Sequence, residues 1–200
     1  MDMVVCFLLL FVIFDASYYL RQICLVIMSV IRRRSSTKHL LESSVIEGIV
    51  LMNDLDLQFH MNNARYLREC DFGRTKLWIE NRIIGKIGIG RMVRLTNAAA
   101  SVRYRKSLQL FNRYKIVSKV IFWDEKAFYV EQQILRQPDD FVCAVIICKQ
   151  SVIGCSPDSL VQKLSGHSTI SSPPKTRELQ SLLESWQHSS DRLNRPRVYD

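Results

Sequence analysis

The sequence predicts an α+β domain in which an antiparallel sheet wraps around one long central helix. Three observations carry that expectation. A helical pattern runs from about Ala64 to about Asn81, and strand patterns separated by short polar turns follow it. The chain has 200 residues, 48% of them hydrophobic, which suffices for one core with little left for a second.

The helix begins at Asn62 and Asn63, whose short side-chain carbonyls suit the unpaired amides of a first turn. Tyr66, Leu67, Cys70, Gly73, Leu77 and Trp78 recur near helical spacing on one face. Gly73 lowers helix propensity but lets the backbone lie close against a sheet. Arg91 to Lys106 then alternates, with Val102 and Tyr104 against Arg103 and Arg105. Tyr114 to Trp123 is rich in β-branched and aromatic residues, and Asp124-Glu125-Lys126 is a turn. Ala127 to Arg136 returns, Gln137-Pro138-Asp139-Asp140 turns again, and Phe141 to Val152 is an almost continuous apolar run. Long strands joined by short turns predict an antiparallel meander, which a single helix covers only by lying across its middle.

Ahead of this domain every residue from Met3 to Phe14 is apolar, and Ile23 to Ile31 is a second apolar stretch leading into Arg32, Arg33 and Arg34. The pattern matches an N-terminal apolar helix: one tilted membrane helix, or a spanning helix continued by an interfacial one, with a cleaved signal peptide as the rival. Asp2, and the lack of a basic residue before the run, favour a retained anchor. The arginines beyond it place the domain on the cytoplasmic side, with the endoplasmic reticulum as the expected membrane and secretion as the alternative. The expected division is an anchor over residues 1–34, a folded domain over 45–156 and a tail over 157–200. In that tail Ser156-Pro157-Asp158 caps a short helix, Ser165 to Pro174 is a linker, and Leu179, Leu182, Leu183 and Trp186 stripe a second helix.

The densest chemistry lies in Asp54-Leu55-Asp56-Leu57-Gln58-Phe59-His60-Met61-Asn62-Asn63-Ala64-Arg65-Tyr66. A carboxylate and a histidine stand beside a helix start, where free amides and the helix dipole suit a polarised carbonyl. Asp54-Leu55-Asp56 followed by His60, Asn62-Asn63 and Tyr66 resembles the D-x-D-x-x-x-H-x-N-N-x-x-Y signature of hotdog-fold thioesterases of the 4-hydroxybenzoyl-CoA and acyl-carrier-protein type. Within them the chain is most similar to the animal branch called thioesterase superfamily member six. The similarity covers about Glu47 to Ser156.

The resemblance implies a membrane-associated hydrolase of fatty acyl thioesters, carried by coenzyme A or a carrier protein. Asp56 would be nucleophile or base, His60 would position water or substrate, and the backbone near Asn62 and Asn63 would polarise the thioester carbonyl. Gln58, Asn62, Asn63 and Ser107 would contact substrate. The resemblance also implies a homodimer, because hotdog enzymes bind substrate along a groove between subunits, here with residues from Ser101 to Ser107 of one or both chains lining it. It requires neither metal nor cofactor. Plant members have Asn where this chain has Gln58, and Glu or Cys where the register puts Ser107. Many bacterial members have a Gly-Asp turn where Phe111-Asn112 stands. These departures motivate the alternative, a catalytically weak or inactive hotdog module that binds acyl chains or protein partners.

The net charge of +9 names two acidic partners, a lipid surface and the phosphates of a coenzyme A ester. The tight run Arg32 to Arg34 directly follows an apolar segment, which favours membrane over nucleic acid. The six cysteines include no C-x-x-C pair, so free thiols in a reducing compartment are expected and a zinc site is not. The odd spacing of Cys143 and Cys148 predicts opposite faces of one strand. Gly85, Gly88 and Gly90 lack the G-x-G-x-x-G order of a dinucleotide loop.

Overall fold

The computed structural model describes residues 3, 5, 15–33, 39–83, 93–165 and 170–194. Most of the Met3 to Phe14 run, Arg34, and the loop bearing Gly85, Gly88 and Gly90 lie outside the described residues. Five strands, β1 (Ser44–Ile49), β2 (Arg94–Tyr104), β3 (Arg113–Trp123), β4 (Ala127–Arg136) and β5 (Phe141–Ile153), form one antiparallel sheet in the order β1-β3-β4-β5-β2. The described helices are α1 (Ala16–Arg33), α2 (Asn63–Glu80), α3 (Pro157–Ser165) and α4 (Arg177–Leu193).

The class is therefore α+β with an antiparallel sheet, but two details differ from the expectation. β2 does not pair with β3. It crosses to the far edge and pairs with β5, because the segment between β2 and β3 is tied down beneath α2: Met61 N–H donates to Leu108 O at 2.8 Å, and Leu108 N–H donates to the Tyr66 hydroxyl at 3.0 Å. The central helix does not stand on the sheet unaccompanied: α1 packs against it and is amphipathic rather than apolar all round, while α3 and α4 lie in the tail. Among the described residues no helix is long and apolar enough to cross a membrane.

Helix α2 lies on the sheet over β1, β3 and β4. At Gly73 an added Cβ would come within 2.7 Å of Ser118 Oγ and 2.9 Å of Gln132 Nε2, so a side chain there has no room. Around Tyr66 and Cys70, the helix buries Ile46, Val50, Met61, Tyr114, Ile116, Ile134 and Ile146. Around Leu77 and Trp78 it buries Val120, Trp123, Phe128 and Val130, with Leu160 and Val161 of α3 closing that end. Asn62 caps the helix start, its Oδ1 accepting from Ala64 N–H at 2.9 Å. Arg82, in the left-handed region at φ 57°, ends it in the conformation that glycine usually supplies.

The apolar stripe of α2 understates what the helix buries, because α1 covers it on another side. Glu69 is 2% exposed. Arg21 of α1 grips it through two hydrogen bonds of 2.8 and 2.6 Å, and the Tyr114 hydroxyl donates a third at 2.8 Å. Arg74, buried at 5% exposure, pairs with Asp71 and donates to Gln132 Oε1 at 2.6 Å, while Gln132 Nε2 donates to Cys70 O and Ser118 Oγ, both at 2.9 Å. Each of these buried polar groups has partners, which is the condition for tolerating them inside.

On the opposite surface of the sheet, Leu179, Leu182, Leu183 and Trp186 of α4 cover Phe122, Tyr129 and Ile147. The rings of Trp186 and Tyr129 stack 6.5 Å apart. Cys143 and Cys148 do not take opposite faces. The register of β4 with β5 slips from Ile134↔Ala144 to Leu135↔Val142, so Cys143 is an extra residue in a bulge. Both thiols join the core under α2.

Candidate functional site

The segment between β1 and α2 is a compact loop closed by its own backbone. A 3-10 turn, Met52–Asp54, has Asp54 Oδ2 accepting from Leu51 N–H at 3.0 Å. The chain then folds back so that Leu55 bridges Met61, Asp56 N–H donates to His60 O at 2.9 Å, and Asn62 N–H donates to Asp54 O at 2.8 Å. Burial raises the pKa of Asp54, whose carboxyl serves the turn. Phe59, at the tip, holds φ 58° with its ring 77% exposed. An aromatic residue rarely adopts that backbone. The reversal it allows brings His60 back over Asp56.

The outcome is a close pair. His60 Nδ1 lies 3.2 Å from Asp56 Oδ2, both side chains about a quarter exposed, but off the direction of a hydrogen bond. Asp56 Oδ1 accepts from Gln58 N–H at 2.9 Å, and Gln58 Oε1 lies 2.9 Å from His60 Nε2. In the tautomer that carries a proton on Nε2, that amide oxygen accepts from it and anchors the ring. Gln58 is thus the residue that orients the ring.

Asp56, Gln58 and Asn62 line one apolar-walled depression with Met52, Leu55, Leu57 and Phe59. His60, Asn63 and Ser107 line another, of about 250 Å³, with Tyr66, Tyr104, Arg105 and Lys106. The sequence-predicted residues therefore sit around the start of α2 but divide between two adjoining hollows that meet at the Asp56–His60 pair. His60 bridges Gln109 by backbone pairing, and Gln109 Nε2 donates to Ser107 Oγ at 3.3 Å, which braces the wall of the second hollow. The Tyr104 hydroxyl donates to Asn63 O at 2.9 Å, and its ring meets Tyr66 edge-on. Burial pushes the Tyr66 hydroxyl up to about 12, so it stays protonated as a structural support.

Tyr104, Arg105 and Lys106 belong to the stretch Ser101 to Ser107 that the family resemblance sets along the substrate groove, without an individual role for any of the three. In the sequence they are indistinguishable from other basic and aromatic positions of exposed strands, and only the fold brings them beside His60. Among the described residues no three His, Cys, Asp or Glu side chains gather as a metal would require.

Residues 50–164 match the model of the Thioesterase-like superfamily. The chain belongs to that family. Protein THEM6 of Xenopus laevis is 37% identical over 92% of this chain and 87% of its own length, and Protein THEM6 of Drosophila melanogaster is 34% identical over 98% and 99%. The fold is that of Slr0204, a 1,4-dihydroxy-2-naphthoyl-CoA thioesterase from Synechocystis, at a TM-score of 0.54 and 13% identity over 62% of this chain and 95% of that one. It is also that of YbaW, a probable thioesterase from Escherichia coli, at a TM-score of 0.51 and 18% identity over 63% and 98%. Both confirm the hotdog architecture.

Proposed function

We propose that the protein hydrolyses fatty acyl thioesters, with coenzyme A esters as substrates, while attached to a membrane through its N-terminal segment. The observation that carries this reading is the Asp56–His60 pair, 3.2 Å apart at the start of α2. Asp56 attacks the thioester carbonyl or takes a proton from water. His60, 3.2 Å from the carboxylate, positions that water, while Gln58 fixes the ring. The carbonyl oxygen points at the Asn63 N–H, since those of Asn62 and Ala64 are already bonded to Asp54 O and Asn62 Oδ1, and a donor of this kind is worth about 2.7–4 kcal/mol in the transition state. A thiolate leaves without a strong general acid, so the site needs no further proton donor, metal or cofactor. Arg105 and Lys106 supply cations for the phosphates of coenzyme A beside Ser107. A homodimer would complete the acyl groove along the exposed edge strand β2.

The test is hydrolysis of a panel of acyl-CoA esters by the full chain, with Asp56→Asn as the control. Asparagine keeps the shape and removes the charge, so the rate should fall at least about a hundredfold, roughly 2.7 kcal/mol of barrier. Equal rates for parent and variant would exclude Asp56 as the reacting group. A parent that binds acyl-CoA in these hollows without hydrolysing it would establish the binding module instead. Its motivation is that Ser107 replaces an acidic or thiol residue and that Asp56 Oδ1 is already engaged by Gln58 N–H.

A further inference from the structure

A continuous apolar surface that meets no partner among the described residues lies on α1. Tyr18, Gln22, Leu25 and Ser29 form the helix face turned inward. The opposite face carries Leu20, Ile23, Cys24, Ile27 and Ile31, each of the four aliphatic side chains more than half exposed. No Asp or Glu occurs anywhere in the helix, which closes on Arg32 and Arg33.

How α1 is held limits what this face can meet. Asp15, just before the helix, bonds Arg68 of α2 at 2.7 Å. Arg21 grips Glu69, Tyr18 packs on Phe72 with ring centres 5.2 Å apart, and Leu25 still rests on the core beneath α2. The helix is thus fastened sideways to the domain over more than two turns. It could not cross a bilayer without dragging α2 in with it, and can touch one only along its length.

We infer that α1 lies in the plane of an anionic lipid surface. Leu20, Ile23, Ile27 and Ile31 enter the upper acyl region, and Arg32 and Arg33 meet lipid phosphates. The domain then rests on the membrane on its α1 side, instead of swinging from a tether. This rests on the membrane attachment proposed above and adds the orientation. Lipid fits the surface better than a second copy, because anionic headgroups receive Arg32 and Arg33 whereas a second copy of this helix offers them no carboxylate.

The experiment uses the full chain, purified in mild detergent and reconstituted in vesicles of phosphatidylcholine with phosphatidylserine. Cys24 carries an environment-sensitive fluorophore in a Cys6→Ser, Cys155→Ser background, since Cys70, Cys143 and Cys148 are buried. The label should shift to the blue, and a spin label near the lipid headgroup should quench it more than one at the chain end. Ile27→Glu should abolish the shift while leaving thermal stability unchanged. Arg32→Glu should raise the phosphatidylserine needed for half the shift at least about fivefold. Protein that sediments with vesicles while its Cys24 label stays water-exposed overturns the inference and leaves the tether standing. Protein that fails to associate with vesicles overturns both. A label shielded before vesicles are added, in a species of twice the mass, overturns it in favour of a second copy on this face.

Discussion

Replacing Arg21 with alanine tests whether α1 is part of the folded core. Glu69 is 2% exposed and takes two hydrogen bonds from Arg21 and one from Tyr114. Removing one partner of a buried ion pair costs about 3–5 kcal/mol, because the remaining charge loses its compensation. That is an upper bound here. The Arg21 side chain is 49% exposed, so water enters where it stood, and the Tyr114 hydroxyl still donates. About half the bound, roughly 2 kcal/mol, is the appropriate expectation. For a chain of this size that lowers Tm by about 4–8 °C. Thermal unfolding followed by circular dichroism would measure it. Glu69→Gln should cost less, since a half-exposed guanidinium rehydrates, and the double variant should be more stable than the two single losses added together imply, by about 1 kcal/mol or more. A Tm for Arg21→Ala within about 1 °C of the parent, or strict additivity in the cycle, would refute the view that this pair fastens the helix.

Three further outcomes are expected. Gly73→Ala drives a Cβ toward Ser118 Oγ and Gln132 Nε2 and should destabilise by about 1–3 kcal/mol in urea unfolding; an unchanged midpoint would mean that α2 sits farther from the sheet. Burial raises the Asp54 carboxyl above its ordinary 3.8, so the native state binds that proton more tightly than the unfolded chain. Its contribution to stability is then full below 3.8 and lost as pH rises through the raised value. Asp54→Asn keeps the acceptor for Leu51 N–H without the charge, and should exceed the parent in Tm most at neutral pH, with the gap closing toward 3.8; a gap independent of pH contradicts this. His60→Ala should lower acyl-CoA hydrolysis by about tenfold, less than Asp56→Asn, because water can partly replace a positioning group; a loss as large as that of Asp56→Asn would give His60 the proton-transfer role.

The helix α2 and the strands β3, β4 and β5 were legible because each carries a long pattern of one period, with a cap or turn chemistry at its ends. The place of β2 was not. Alternation marks a strand but does not name its neighbour, and the crossover depends on Leu108 being drawn under Tyr66. The burial of Glu69 and Arg74 leaves no mark in the sequence, since a reading based on one buried face has no place for charges that meet Arg21 and Gln132 from other elements. One bulge at Cys143 reversed a parity argument that holds only for unbroken strands. At the candidate site, Asp56 and His60 were legible because four residues of loop necessarily keep them close. Ser107 was read from register alone, and the fold sets it in the hollow of Tyr104, Arg105 and Lys106, on the far side of His60 from Asp56.

The packing of α4 on the sheet has a bearing on how the protein is made. Phe122, Tyr129 and Ile147 are synthesised well before the helix that covers them. At ordinary elongation rates the ribosome needs about 2–8 s to travel from Ile147 to Trp186. Throughout that interval the nascent sheet shows an aromatic outer surface to the cell, a target for chaperones and a seed for aggregation. Any message cut short before residue 177 would leave that surface permanently bare, so shortened products should be recognised as misfolded even with the whole sheet and the candidate site already in place.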